Sequence, residues 1–284
     1  MLNSIKSFLG PSDVISEITL LINEPSNSNK VFVVLEGDTD RRLFKSLLHE
    51  SSTILMVHNT KNGLCGIVNE YFVNSKRVIG IRDRDYEMSK SCSKGKVFFC
   101  DYCCAEMMII SIDECMQKLA SNFYLGELRF DELRLHILSM LSFLSVCRMH
   151  NERKMLGIEF GGVKPSSCFN EDSHIMHKNI LSRIKIQNKQ KTKSLRKLPR
   201  MILDKHFNLA KLLEITNGHD FIDLFVKICN NVNQKKIGKD SVENSLRCCL
   251  GNFEFVQTKL YKKLSVYQNK NTLSIVKNPI NVDD

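Results

Sequence analysis

The 284 residues carry 41 lysines and arginines against 31 aspartates and glutamates, a formal charge of +10, and a chain of this length buries a hydrophobic core without disulfide or metal support. Hydrophobic residues at 43% and charged residues at 25% exclude a wholly disordered or membrane-embedded chain, while the basic surplus favours a polyanionic partner such as nucleic acid. The 11 cysteines are irregularly spaced, no signal peptide or membrane-spanning run is visible, and the expectation is reduced thiols in a cytoplasmic protein.

In chain order, Ser12 is placed to cap a first helix whose Val14, Ile15, Ile18, Leu21 and Ile22 share a face, and a polar linker runs from Glu24 to Lys30. Val31 to Leu35 (VFVVL) is a continuous β-branched and apolar run, the pattern of a strand covered on both faces of a parallel sheet. Helical spacing follows at Leu43, Phe44, Leu47 and Leu48, then a strand at Thr53 to Val57, a helix from Leu64 to about Phe72, a strand at Arg77 to Ile81 and a fourth at Lys96 to Cys100. Ala105 to Ile112 reads as an apolar helix start. Strands alternating with crossover helices define an α/β fold, a parallel sheet with flanking helices. From about residue 113 the periods are mainly helical, as at Leu133 to Cys147, interrupted by MLGIEFGGVKP as a hairpin or loop and resuming from near His206 to about Leu264. The expected division is an N-terminal helix and linker (1–29), a catalytic α/β domain (30–125) and a mainly helical C-terminal region (126–284) for substrate and partner contacts.

Ligands of open α/β sheets bind outside the carboxyl ends of the strands, where strand order reverses. Acidic residues crowd three such ends: Glu36, with Gly37 to permit a tight turn and Asp40 in the next helix; Asp83 and Asp85, set on one side of an extended segment; and Asp101 with Glu106. Carboxylates gathered at one edge call for a hard cation, Mg²⁺ or Mn²⁺, and a neighbouring Glu then moves protons in phosphoryl chemistry. Taken singly, Asp40 and Glu106 equally suit a helix N-terminus.

LEGDTD followed by IRDRD resembles the Toprim domain of topoisomerases, bacterial primases and nucleases of the overcoming-lysogenization-defect type. The resemblance implies that Glu36 is the general acid or base, that Asp83 and Asp85 hold Mg²⁺, and that the sheet is Toprim-like. KNG at Lys61 to Gly63, the helix start at Glu106 and NGHDF at Asn217 to Phe221 are further similar to stand-alone Toprim nucleases of bacterial anti-phage loci, the AriB-type effectors of PARIS systems. That likeness implies a toxic effector nuclease held by an ABC-type ATPase partner, released on phage sensing in abortive infection, cutting host tRNA and active as a homodimer. The metal set it implies is Glu36, Asp83, Asp85, Asp40 and Glu106, with catalysis by Glu36, Asp83 and Asp85.

Arg183, Lys185, Lys189, Lys191, Lys193, Arg196, Lys197 and Arg200 form a run without an acidic residue, suited to a phosphate backbone and placed with Lys61 as nucleic-acid contacts. Cys100, Cys103 and Cys104 lack the second ligand pair of a zinc site and read as buried thiols; His174 and His177 read as surface residues. Asp220 reads as a helix cap or a contact to partner or substrate. No P-loop motif occurs, so an ATPase would be a separate subunit. Backbone-reading basic residues serve RNA and DNA alike, which leaves a DNA endonuclease or nickase, or a non-catalytic binding subunit, as alternatives.

Overall fold

The computed structural model describes residues 11–58, 61–86, 95–199 and 207–277. Its sheet is built from β1 (Val31–Leu35), β2 (Thr53–Val57), β3 (Val78–Arg82) and β4 (Val97–Phe99), all parallel, in the order β2-β1-β3-β4. The α/β class with flanking helices is therefore as the sequence pattern expects. Every position of β1 and β3 is buried, because an unbroken apolar run needs a covering layer on both faces. β2 lies on one side of β1 and β3 on the other, so strand order reverses between β1 and β3.

The described residues form two compact units, one drawn from the segments Met1–Asp83, Met88–Asp101 and Gly251–Asp284, the other from Arg84–Glu87 and Tyr102–Leu250. The first holds the sheet with α1 (Pro11–Ile22), α2 (Asp38–Leu47), α3 (Lys61–Gly66) and a π-helical turn, Ile67–Tyr71, that continues α3. Val14 and Ile18 of α1 join Phe32, Val34, Met56, Leu64, Ile67, Val68, Val78 and Val97 in one core. Ser12 lies inside the first turn of α1 rather than capping it, and its carbonyl accepts from Ser16 Oγ at 2.8 Å. The polar linker is pinned by Arg77, whose guanidinium donates to the carbonyls of Ile22, Asn27 and Ser28 at 2.8, 2.6 and 2.7 Å. Gly80 lets β3 meet α3: a Cβ there would stand 2.7 Å from Leu64 Cδ2.

Residues 251–277 belong to this unit as well. α13 (Asn252–Phe255) and α14 (Lys259–Asn271) follow each other, and Asp101, just beyond β4, accepts from the backbone N–H of Lys259 at 2.7 Å and of Leu260 at 2.9 Å. Both carboxylate oxygens thus meet the open N–H groups of a helix N-terminus, whose partial positive charge favours an anion. Tyr267 of α14 packs edge-on against Phe98, and Val276 closes an antiparallel bridge with Leu48.

The second unit is helical: α4 (Ala105–Ile110), α5 (Asp113–Phe123), α6 (Phe130–Arg153), α7 (Pro165–Cys168), α8 (Ser173–Gln187), α9 (Thr192–Leu195), α10 (Leu209–Ile215), α11 (Gly218–Asn233) and α12 (Lys239–Cys249). The apolar helix start expected over Ala105–Ile112 is α4, which ends at Ile110; Arg134, 4% exposed, donates to the Ile110 carbonyl at 3.1 Å and pairs with Asp113 at 2.8 Å. MLGIEFGGVKP is a loop, braced by Asn151 against both backbone groups of Ile158 and by Asn188 against both of Glu159. Among the described residues no helix is long and apolar enough to cross a membrane.

His177 is a partly buried packing residue rather than a surface one: its ring stacks on Phe143 with centroids 4.8 Å apart, and burial, then His174, lowers its pKa from the ordinary 6.5. The unfolded chain takes up that proton at a higher pH than the folded one. The stability His177 confers is present above pH 6.5 and lost as pH falls through the lowered folded value. Urea denaturation across this window should show His177→Gln with a shallower acid-side loss of stability than the parent; equal slopes would refute it. Asp101→Ala removes two charge-assisted hydrogen bonds at a position 7% exposed, and denaturant titration should show a loss of about 1–3 kcal/mol or more.

Candidate functional site

The site begins from strand register. Leu35 of β1 pairs with Val57 of β2 and with Ile81 of β3, so the residues just past those positions, His58, Glu36 and the pair Arg82 and Asp83, line the carboxyl edge of three neighbouring strands. This is the reversal point of the sheet, where a crevice opens between crossovers running to opposite sides. Of the sequence-predicted carboxylates, Glu36 and Asp83 follow adjacent strands at this edge, and the residue that Glu36 meets is Arg82.

Arg82 organises it. Its side chain is 1% exposed, its Nε lies 3.1 Å from Glu36 Oε1, and Glu36 itself is 17% exposed. Arg82 Nη1 also donates to Cys65 Sγ at 3.4 Å, and the guanidinium carbon stands 5.6 Å from the centre of the Phe99 ring. A guanidinium this deep is tolerated because a carboxylate and an aromatic face meet it. His58 is 3% exposed, its N–H donates to the Leu35 carbonyl at 2.8 Å, and burial lowers its pKa. Lowering from an ordinary 6.5 keeps the imidazole neutral at neutral pH.

Asp40 sits at the third position of α2, where its Oδ2 accepts from the Gly37 N–H at 3.1 Å, an N-terminal capping contact. The chain bends at residues 36 and 37 between β1 and α2, and Gly37 is extended there (φ −153, ψ 172), a conformation open to any residue, so the turn does not depend on glycine. Asp101, grouped with these acids by its strand-end position, is committed to the N-terminus of α14.

The DxD is divided: Asp83 closes the sheet unit and Asp85 belongs to the helical one. Asp85 is not in an extended segment but left-handed, φ 50, with its N–H donating to the Cys103 carbonyl at 2.7 Å; Asp tolerates that region because its short polar side chain bonds locally. Glu106 occupies the first turn of α4 in the same unit. Cys100, Cys103 and Cys104 are each buried. Asp220 does not cap α11. That role falls to Asn217, whose side chain accepts from the His219 N–H, while Asp220, 5% exposed, makes a bidentate pair with Arg148 at 2.7 and 2.9 Å. Burial pushes the Asp220 pKa up, and Arg148 opposes that.

Of the basic run, Arg183 and Lys185 lie on α8, Lys189 and Lys191 follow it, Lys193 is in α9, and Arg196 and Lys197 come after. Lys185, Lys189 and Arg196, with Leu181, Leu195 and Leu198, line a groove of about 680 Å³. Lys191 is bound within the protein, to Glu159 at 2.7 Å and the Gly157 carbonyl at 2.6 Å. Lys61 opens α3, and Arg200 lies outside the described residues.

No family model matches this chain, and no curated protein matches it.

Arg82 and His58 were absent from the sequence expectations. The signal for Arg82 was present: a lone cation ending an apolar strand, directly before an acidic residue, is buried only with an anion nearby. Removing one member of such a pair costs about 3–5 kcal/mol. Arg82→Met should therefore destabilise strongly, and Arg82→Met with Glu36→Gln should recover part of that loss. A double-mutant cycle by denaturant unfolding with strictly additive effects would show that the pair is energetically idle.

Proposed function

We propose that this chain is a Mg²⁺-dependent nuclease of Toprim type, with Mn²⁺ as an alternative metal, acting by phosphoryl transfer from the edge that carries Glu36 and Asp83. The observation that supports this reading is that two carboxylates, Glu36 and Asp83, follow adjacent strands at the reversal point of the sheet, where the buried Arg82 meets Glu36. Hard oxygen donors in that crevice fit Mg²⁺. Asp83 and Glu36 would hold the ion with Asp40; Asp85 and Glu106 join the set on the sequence pattern alone.

A bound Mg²⁺ supplies positive charge against phosphate oxygens and acidifies water. Glu36 then receives a proton from the attacking water or returns one to the leaving oxygen, and Arg82 holds the Glu36 carboxylate in a fixed orientation for that transfer. Neutral His58 beside Glu36 adds no competing positive charge. The cationic groove on α8 and α9 offers contacts to the phosphate backbone, which position nucleic acid without reading its sequence.

The finer reading follows the resemblance: a toxic effector in anti-phage defence, in the reducing cytoplasm, released from an ABC-type ATPase subunit to cut host tRNA as a homodimer. Purified protein incubated with Mg²⁺ and either total tRNA or plasmid tests both levels. Cleavage of tRNA is expected, and Glu36→Gln and Asp83→Asn should each lower it by about 10²–10⁴-fold without unfolding the chain. Plasmid cleavage with intact tRNA would replace the tRNA reading by a DNA endonuclease. Full toxicity of Glu36→Gln in cells would refute the enzymatic reading.

A further inference from the structure

Asn217–Phe221 is a motif for which the proposed chemistry has no use, yet its surroundings are specific. Asn217 caps α11, accepting from the His219 N–H at 2.9 Å through Oδ1 and from the Phe221 N–H at 3.1 Å through its carbonyl. Directly after the cap comes Gly218. A Cβ added there would lie 2.5 Å from Glu106 Oε2, 2.7 Å from Glu106 Cβ and 2.9 Å from Cys104 Sγ. The Glu106 side chain therefore rests on the bare first turn of α11, in space that any other residue would occupy. Gly218 is helical, so the demand for glycine is steric and not conformational.

That turn suits a carboxylate. α11 is 16 residues long, and its first peptide N–H groups carry the positive end of the helix dipole. It is also fixed in place. Asp220 is tied through both oxygens to Arg148 of α6, Arg148 stacks over Phe160 with its guanidinium carbon 5.1 Å from the ring centre, and Thr216, just before the cap, is bonded to Ser145 of α6 at 3.1 Å. Tyr86, one residue after Asp85, buries its hydroxyl with Cys103, Arg148, Asp220 and Cys104 as its charge neighbours.

We propose that the first turn of α11 is the seat of Glu106, with Gly218 as the positioning residue that admits the Glu106 side chain and the Arg148–Asp220 pair as the lock on that turn. The proposal rests on the reading of Glu106 as a metal-holding carboxylate. Loss of the seat should weaken metal binding, because a Cβ at Gly218 takes the space that the Glu106 side chain occupies.

Mn²⁺ binding to the full chain, followed by electron paramagnetic resonance of the free ion, reads this without substrate. Gly218→Ala is expected to raise the Mn²⁺ dissociation constant at least about tenfold, and to raise the Mg²⁺ concentration for half-maximal cleavage in parallel, with a lower unfolding temperature from the crowding of Glu106 Cβ and Cys104 Sγ. Glu106→Gln should give a similar loss, and the double variant little more, because both act through one carboxylate. Unchanged Mn²⁺ affinity in Gly218→Ala, or a lower unfolding temperature alone, would overturn the proposal. A parent protein that binds Mn²⁺ but loses none of it in Glu106→Gln would overturn it too, while leaving Glu36 and Asp83 as metal residues. Absence of Mn²⁺ binding in the parent would sink the metal reading itself. Should Gly218→Ala fail to fold, Asp220→Asn replaces it: affinity weakened about threefold or more supports the seat, and unchanged affinity rejects it.

Discussion

A guanidinium that is 1% exposed must be met by an anion, and at the end of β3 that anion is Glu36. Much of the candidate site follows from this pairing. It ties the end of β1 to the end of β3 at the place where strand order reverses, and it sets one carboxylate in a fixed orientation there. It also recruits the surroundings: Cys65, just before the π-helical turn, approaches the guanidinium, and Phe99 of β4 covers it. Glu36 is thereby held against a cation of the chain itself, at the end of the strand that neighbours the one leading to Asp83.

The other acidic residues show how differently one residue type is used at equivalent positions. Glu36 meets a side-chain cation, Asp40 meets the N–H of Gly37 at the start of α2, and Asp101 meets two N–H groups at the start of α14. Each follows a strand, and each relieves its charge on whatever donor faces it. For Asp101 the donors come from a helix 158 and 159 residues further along the chain. No local pattern announces such a partner.

The strands and their parallel pairing were legible because continuous apolar runs of β-branched residues have few other stable outcomes. Glu36 and Asp83 were legible because the end of such a strand is a defined place. What failed to show in the sequence was long-range or conformational. The return of α14 to the sheet depends on Asp101 and on Tyr267 against Phe98; the break between α4 and α5 depends on Arg134, which arrives from α6. The left-handed backbone at Asp85 and the buried pairing of Asp220 with Arg148 likewise belong to the tertiary structure.

Glycines make the same point in space rather than charge. Gly37, inside the most recognisable motif of the chain, is extended, and a Cβ there would make only ordinary contacts, 3.7 Å from Thr39 Oγ1 and 3.8 Å from Asp40 Oδ2. Gly80 and Gly218 stand in less conspicuous surroundings, and each has a neighbour within 2.7 Å of where a Cβ would go. At Gly80 the neighbour is Leu64, and the close approach serves packing of α3 on β3. At Gly218 it is Glu106, a group whose charge gives packing no advantage. A core gains from filling the space over a glycine with apolar carbon; a carboxylate in that space, on a helix N-terminus tied down by a buried ion pair, brings charge and little apolar area to the packing.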